Sequence, residues 1–314
     1  MRLGVLDVGS NTVHLLLVDA HHGAHPWPAH SEKSVLRLAE QIGPDGALTK
    51  AGADALVKTV HDAKVSARRL KADDLLAFAT SAVRDATNSQ EVLSRVRKET
   101  GVRLQVLSGA DEARATFLAV RRWFGWSAGR LLVLDIGGGS LEIAAGIDET
   151  PDLAMSLPLG AGRLSRERLQ VDAATSTPPP PKAVDDLQAY VEKQLANAGS
   201  KLADVKWDRA VATSKTFRTL ARLAGAAPSR QGLWEPRALP AHGLRQVLGF
   251  IRLIPPRQVY ELEGVSASRS HQLLAGAVVA EAVLRRLQID AVDICPWALR
   301  EGVILRRLDQ LESA

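Results

Sequence analysis

Apolar residues come along this chain in two rhythms: short runs bounded by Gly, Ser, Asp or Pro, and longer stretches where they recur every three or four positions. The first rhythm predicts strands and the second predicts amphipathic helices. Strands are expected at 3–8 and 12–19, then a less regular stretch rich in His and Pro, then a helix over 48–70. A strand at 75–79, a helix over 90–100, a strand at 103–107 and a helix over 110–124 follow. At residue 131 the order begins again. Strands at 131–135, 141–146 and 153–157 precede helices near 164–169 and 184–198, a strand at 210–212 and further helices. An apolar helix over 273–287, a strand at 291–294 and a helix over 298–311 come last. Strands followed by strands alternating with helices predict an α/β fold, and the restart predicts two related domains. We place these at 1–124 and 125–297, with the C-terminal helix at 298–314 returning to the first domain.

Within this pattern one device occurs twice. Leu6-Asp7-Val8-Gly9-Ser10-Asn11 and Leu134-Asp135-Ile136-Gly137-Gly138-Gly139-Ser140-Leu141-Glu142 each put an aspartate at the end of an apolar run, then small residues, then a second apolar run. A strand that enters a Gly/Ser turn and leaves as another strand points unpaired backbone N–H groups in one direction, which suits a phosphate. The same glycines also suit a plain tight bend. Recurrence 128 positions later favours a phosphate cradle in each domain, the two facing one cleft. Glu142 lies two residues beyond Ser140, on the same face of the expected strand. Asp7, Asp135 and Glu142 are therefore candidate ligands for a hard cation, Mg²⁺ with Mn²⁺ as the alternative.

Composition narrows the class. At 314 residues, 46% hydrophobic and 24% charged, the chain is neither disordered nor fibrous. No apolar run has membrane-spanning length and no signal-peptide pattern opens the chain, so a cytoplasmic protein without a membrane partner is expected. The lone cysteine, Cys295, excludes an internal disulfide and a cysteine-based zinc site. The net charge is +5, and 29 of the 40 basic residues are arginine, which suits a polyanionic ligand or simply reflects GC-rich coding. The arginine doublets Arg68-Arg69, Arg121-Arg122, Arg285-Arg286 and Arg306-Arg307 fall on expected helices and read as solvated faces, so no nucleic-acid partner is expected. Pro178, Pro179, Pro180 and Pro181 form a stiff surface connector leading into the next helix.

Two further stretches carry chemistry. In Ala79-Thr80-Ser81-Ala82-Val83-Arg84 a strand ends in two hydroxyls and a helix begins, with Ser81 as its natural cap. Arg84 would then stand in a first helical turn, where a cation is disfavoured unless an anion lies there too. In Ser108-Gly109-Ala110-Asp111-Glu112-Ala113, Ser108 and Asp111 have capping-box spacing, which needs no function. The functional reading makes Glu112 a general base for an attacking water.

Together with Leu-Gly-Ala-x-Arg-Leu at 159–164 and Leu-Arg-Glu-Gly at 299–302, these motifs occur in the order of the exopolyphosphatase/guanosine pentaphosphate phosphohydrolase (Ppx/GppA) family. The resemblance covers essentially the whole chain. It is strongest to the short actinobacterial exopolyphosphatases, through Ala212-Thr213-Ser214-Lys215-Thr216-Phe217-Arg218 and Ile294-Cys295-Pro296-Trp297-Ala298-Leu299-Arg300-Glu301-Gly302. It implies two ribonuclease-H-like domains of the actin/hexokinase/Hsp70 (ASKHA) superfamily around a central cleft. It also implies Mg²⁺-dependent release of terminal orthophosphate from inorganic polyphosphate, and a homodimer. Glu112 matches the catalytic base. Ser10, Asn11, Ser81, Arg84, Gly137, Gly138, Gly139 and Ser140 match phosphate-binding positions. Asp135 and Glu142 match the metal-handling acids, and Asp7 matches the first-loop aspartate grouped with them. The chain is too short for the helical HD-type domain that longer members append.

Some positions depart from the family pattern. Many relatives carry Gly-x-Ser-Gly-Thr where this chain has Ala212-Thr213-Ser214-Lys215-Thr216, a change expected to remove a flexible turn and add a cation. Arg269-Ser270-His271 stands for a common Arg-Ala-Asp, and Ala298 for a glycine. The competing readings are hydrolysis of guanosine pentaphosphate, an actin-like ATPase or sugar kinase, and a polyphosphate sensor without catalysis.

Overall fold

The computed structural model describes residues 1–20, 27–202 and 205–312. Its strands are β1 (Arg2–Val8), β2 (Thr12–Asp19), β3 (Trp27–Val35), β4 (Asp74–Ala79), β5 (Gln105–Val106), β6 (Leu131–Ile136), β7 (Leu141–Gly146), β8 (Leu153–Leu157), β9 (Arg209–Thr213), β10 (Ala238–Pro240) and β11 (Ala291–Ile294). Its helices are α1 (Lys50–Arg69), α2 (Ser81–Arg84), α3 (Ser89–Thr100), α4 (Gly109–Phe124), α5 (Ala161–Leu164), α6 (Pro181–Asn197), α7 (Gly199–Leu202), α8 (Ser214–Leu223), α9 (Ala241–Ile251), α10 (Leu273–Arg286) and α11 (Leu299–Glu312). Contacts divide the chain into two units, Met1–Ala115 with Leu299–Ala314, and Thr116–Ala298.

In the first unit the sheet order is β3-β2-β1-β4-β5, with β1 antiparallel to β2 and parallel to β4. Side-chain alternation along β1 gives the sheet two apolar faces. Leu6 and Val8 join Leu56 and Val60 of α1 and Val96 of α3 on one side. Leu3 and Val5 join Phe78, Val303, Ile304 and Leu308 on the other. Thr49 starts α1 by accepting the Gly52 N–H at 3.1 Å, as an N-cap should. Gly302 lets α11 cross α4 closely at Ala115, because a Cβ there would lie 1.8 Å from the Ala115 carbonyl oxygen.

The second unit repeats the plan. Its sheet runs β10-β11-β9-β6-β7-β8, so β8-β7-β6-β9 reproduces β3-β2-β1-β4 in order and direction. Helix α10 is buried on nearly every side, from Leu273 through Leu284, which its unbroken Ala/Val/Leu content requires.

Several expectations need correction. Residues 27–35 form a strand rather than irregular chain. β3 lies at the edge of its sheet, so Pro28 and the charged residues of the Trp27–Val35 segment are tolerated and no apolar alternation marks it. The rest of that His- and Pro-rich stretch, residues 21–26, lies outside the described residues, as do residues 313–314 of the expected last helix. β5 is only two residues long, and β10 was not anticipated. The expected 164–169 helix is the single turn α5 followed by a π turn at Ser165–Leu169. Pro181 opens α6 instead of preceding it, at the one helical position where its missing N–H costs nothing.

The doublet at 121–122 is no solvated face. Arg121 is 1% exposed, donates to the carbonyls of Gly125 (3.0 Å) and Gly129 (2.6 Å), and lies over the Phe117 ring at 6.0 Å. Burial lowers its pKa below the usual arginine value. No helix among the described residues is long and apolar enough to cross a membrane.

Candidate functional site

Each unit contains one strand–turn–strand elbow, and the two share their backbone hydrogen bonding. In the first, Gly9 N–H donates to the Thr12 carbonyl at 3.0 Å; in the second, Gly137 N–H donates to the Ser140 carbonyl at 2.9 Å. The segment after each unit's third strand then ties the elbow from behind. Ala39 N–H reaches Ser10 O at 2.9 Å, and Leu36 and Arg37 N–H reach Asn11 O at 3.1 and 2.9 Å. In the second unit, Ala161 N–H reaches Gly137 O at 3.0 Å and Arg163 N–H reaches Gly138 O at 2.9 Å. The carbonyls are thereby occupied. Among the described residues, Ser10, Asn11, Gly138, Gly139 and Ser140 donate no backbone hydrogen bond. Clustered N–H donors in a turn are an anion nest.

Gly160 makes the second support possible. A Cβ there would lie 2.2 Å from the Gly139 carbonyl carbon and 2.3 Å from the Ser140 nitrogen.

Around the first elbow the side chains are buried and polar. Ser10 (7% exposed) and Ser81 (4%) share a hydroxyl–hydroxyl hydrogen bond of 2.8 Å. Ser81 is therefore not the cap of α2; Thr80 holds that position, with extended backbone and no capping bond. Asn11 is 4% exposed, yet neither its side-chain oxygen nor its nitrogen has a hydrogen-bond partner among the described residues. A buried amide left unsatisfied costs about 1–3 kcal/mol and calls for an explanation such as a ligand.

Arg84 and Glu112 form an ion pair in the same unit. Glu112 is 7% exposed and stands in the first turn of α4, behind the expected capping box. The box itself forms: Ser108 Oγ accepts the Asp111 N–H at 3.1 Å and donates to Asp111 Oδ2 at 2.6 Å. Arg84 Nη1 also donates to the Leu107 carbonyl at 3.2 Å, and its Nε donates to Asp85 at 3.0 Å. Burial works to lower the Arg84 pKa. The Glu112 and Asp85 carboxylates outweigh it, and the guanidinium ends above its usual value, firmly charged. The anion that the sequence required beside Arg84 is the Glu112 carboxylate.

Strand register distinguishes the two elbows. Asp135 pairs directly across from Glu142, and Asp7 directly across from His14. Two carboxylates opposite each other on neighbouring strands repel unless a cation joins them. Glu142 Oε1 accepts from Ser156 Oγ at 2.8 Å, which fixes its orientation. Two carboxylates so placed suit Mg²⁺ or Mn²⁺, ions that take one or two protein carboxylates and complete their shell with water and phosphate oxygens. Of the three acids expected to handle the metal, Asp135 and Glu142 lie in the second unit and Asp7 in the first.

Sequence reasoning missed His14, whose Nε2 lies 2.7 Å from Ser31 Oγ and 3.4 Å from Arg300 Nη1. The signal was available. His14 follows Asp7 by seven residues, as Glu142 follows Asp135. The Ala212-Thr213-Ser214 stretch repeats Ala79-Thr80-Ser81, each at the end of the fourth strand of its plan. Ser214 has φ 79°, so this turn contains a left-handed residue without a glycine. The added cation, Lys215, reaches the Gly264 carbonyl at 3.4 Å.

The sequence profile of the Ppx/GppA phosphatase family matches residues 17–311. The chain belongs to that family. Among Ppx/GppA relatives it is 59% identical to "Exopolyphosphatase 1" of Mycobacterium tuberculosis over 310 residues, 98% of this chain and 89% of the relative. It is 26% identical to the "Guanosine-5'-triphosphate,3'-diphosphate pyrophosphatase" of Aeromonas hydrophila, covering 95% of this chain and 58% of that longer protein. The crystal structure of an exopolyphosphatase from Cytophaga hutchinsonii shares the fold, with a TM-score of 0.87 at 24% identity over 99% of this chain and 98% of that one. The Ppx/GppA fold is the actin-like ASKHA fold of two domains, which the repeated strand order displays.

Proposed function

We propose that the protein is an exopolyphosphatase that hydrolyses the terminal orthophosphate of inorganic polyphosphate. The observation that carries the chemistry is the buried Glu112 carboxylate held by Arg84 in the unit that also holds the Ser10–Ser81 elbow. The substrate class rests on the 59% identical relative named Exopolyphosphatase 1.

In this reading the nest amides and the Asn11 side chain bind oxygens of the terminal phosphoryl group, which gives the unpartnered amide its partner. Arg84, permanently charged, donates to a phosphate oxygen while its bonds to Leu107 and Asp85 hold it in place. Glu112 orients a water and takes its proton onto a carboxylate oxygen as the water oxygen bonds to phosphorus. The bridging P–O bond breaks in line, releasing orthophosphate and a chain one unit shorter. Fixed donors aimed at developing charge supply most of the acceleration in such transfers. Asp135 and Glu142 would hold Mg²⁺, which when bound neutralises charge on the phosphate oxygens.

The test is phosphate release from polyphosphate and from guanosine pentaphosphate, with and without Mg²⁺, by the wild type and Glu112→Gln. Release from polyphosphate is expected, reduced about 10²- to 10⁴-fold by Glu112→Gln with polyphosphate binding retained. The 26% identical pyrophosphatase supports the nucleotide as the second reading. Turnover of the nucleotide alone would establish that reading and end the first.

A further inference from the structure

Beside the candidate base, the first unit has a groove of about 1140 Å³ that the reaction as described does not use. It exists because β5 pairs with β4 only at Phe78 and Ala79, so residues 74–77 of β4 have no strand on that side. Helices α3 and α11 form the walls of this notch. Four arginines line it: Arg97 of α3, Arg103 before β5, and Arg306 and Arg307 of α11. Its floor is apolar, with Phe78, Val106 and Val303 among the side chains.

The charge lining the groove is mostly positive. Among the described residues its one lining carboxylate is Asp111, which already accepts from Ser108 and pairs with Arg114 at 2.9 Å. Arg307 is engaged by Asp74 at 2.8 Å. Arg97 and Arg103 are exposed and make no ion pair among the described residues. Guanidinium forks match phosphate oxygens, and a low-dielectric floor strengthens their field.

One end of the groove comes close in sequence to the candidate base. Leu107, whose carbonyl holds Arg84, lies in its wall, and so does Asp111, the residue before Glu112.

We infer that this groove is an exosite for the polyphosphate chain beyond the phosphoryl group being cleaved. The inference rests on the exopolyphosphatase reading and deepens it. Short substrates end before the groove; long ones lie along it. The arginines then raise capture of long chains without touching the reacting atoms.

The experiment compares wild type with Arg97→Glu/Arg103→Glu and with the milder Arg97→Gln/Arg103→Gln, using tripolyphosphate and polyphosphate of several hundred units. For the charge-reversed variant, kcat/KM on the long substrate is expected to fall at least about tenfold, with a weaker salt dependence, while tripolyphosphate stays within about twofold. The Gln variant is expected to fall in between. In parallel, binding of long polyphosphate is measured in the Glu112→Gln background with and without the two charge reversals. A tenfold weakening there supports the exosite unless turnover of the two substrates falls equally. Equal effects on both substrates, or no effect on long-chain binding, overturn it. A changed oligomeric state by sedimentation with an unaltered chain-length ratio also overturns it, and marks the groove as an interface between copies. Wild type inert toward both polyphosphates sinks the function proposed above, and the binding arm still decides the groove.

Discussion

The elbow at residues 7–14 and the elbow at residues 135–142 use the same backbone and different side chains. Both close with one N–H to carbonyl bond three residues on, both are tied from behind by the segment after the third strand, and both leave amides undonated. Seven residues after the aspartate, however, one presents His14 and the other Glu142. Backbone amides make a phosphate nest with almost any small residues, so the repeat could keep the nest while its side chains diverged. The second elbow gathers two negative charges. The first keeps one, and its turn carries the Ser10 hydroxyl and the Asn11 amide.

The comparison breaks most sharply at its point of difference. Glu142→Gln or Asp135→Asn should lower polyphosphate turnover about a hundredfold or more and abolish its response to Mg²⁺ titration, whereas His14→Gln should stay within about threefold. Equal losses from His14→Gln and Glu142→Gln would mean the elbows are functionally equivalent. Next in size is the support behind the nest. Gly160→Ala forces a methyl into Gly139 and Ser140, and should cost about tenfold in turnover with a fall of several degrees in Tm. At the matching support, Arg37 already adopts φ 49°, so Arg37→Gly should be tolerated in both measurements. The smallest effect, and the most specific, concerns Asn11. Asn11→Ala should leave Tm unchanged or raise it slightly, since it removes an unsatisfied buried amide, while raising KM for polyphosphate.

What could be read from the sequence follows from how local each feature is. The elbows and the Ser108 box are set by residues within three positions of one another, and their turn chemistry shows directly in the sequence. β3 was invisible because an edge strand takes its order from backbone pairing with β2, not from its own apolar pattern. Ser81 looked like a cap because caps and phosphate sites prefer the same hydroxyls; only its meeting with Ser10, 71 residues away, separates them. Arg121 looked solvated because nothing local announces that the carbonyls of Gly125 and Gly129 fold back over it. The Arg84–Glu112 pair, 28 residues apart, was foreseen only as a need for an anion.

The discontinuity of the first unit has a consequence for biosynthesis. Leu3, Val5 and Phe78 bury one face of their sheet against Val303, Ile304 and Leu308, and Gly302 seats α11 on Ala115, three residues past Glu112. A chain made from its N-terminus therefore holds the first-made sheet half-covered while the whole Thr116–Ala298 unit is synthesised and can fold on its own core. The half that carries the candidate base is the first to leave the ribosome and the last to be finished. Until Leu299–Glu312 arrives, the Leu3, Val5 and Phe78 face of that sheet lacks its covering helix.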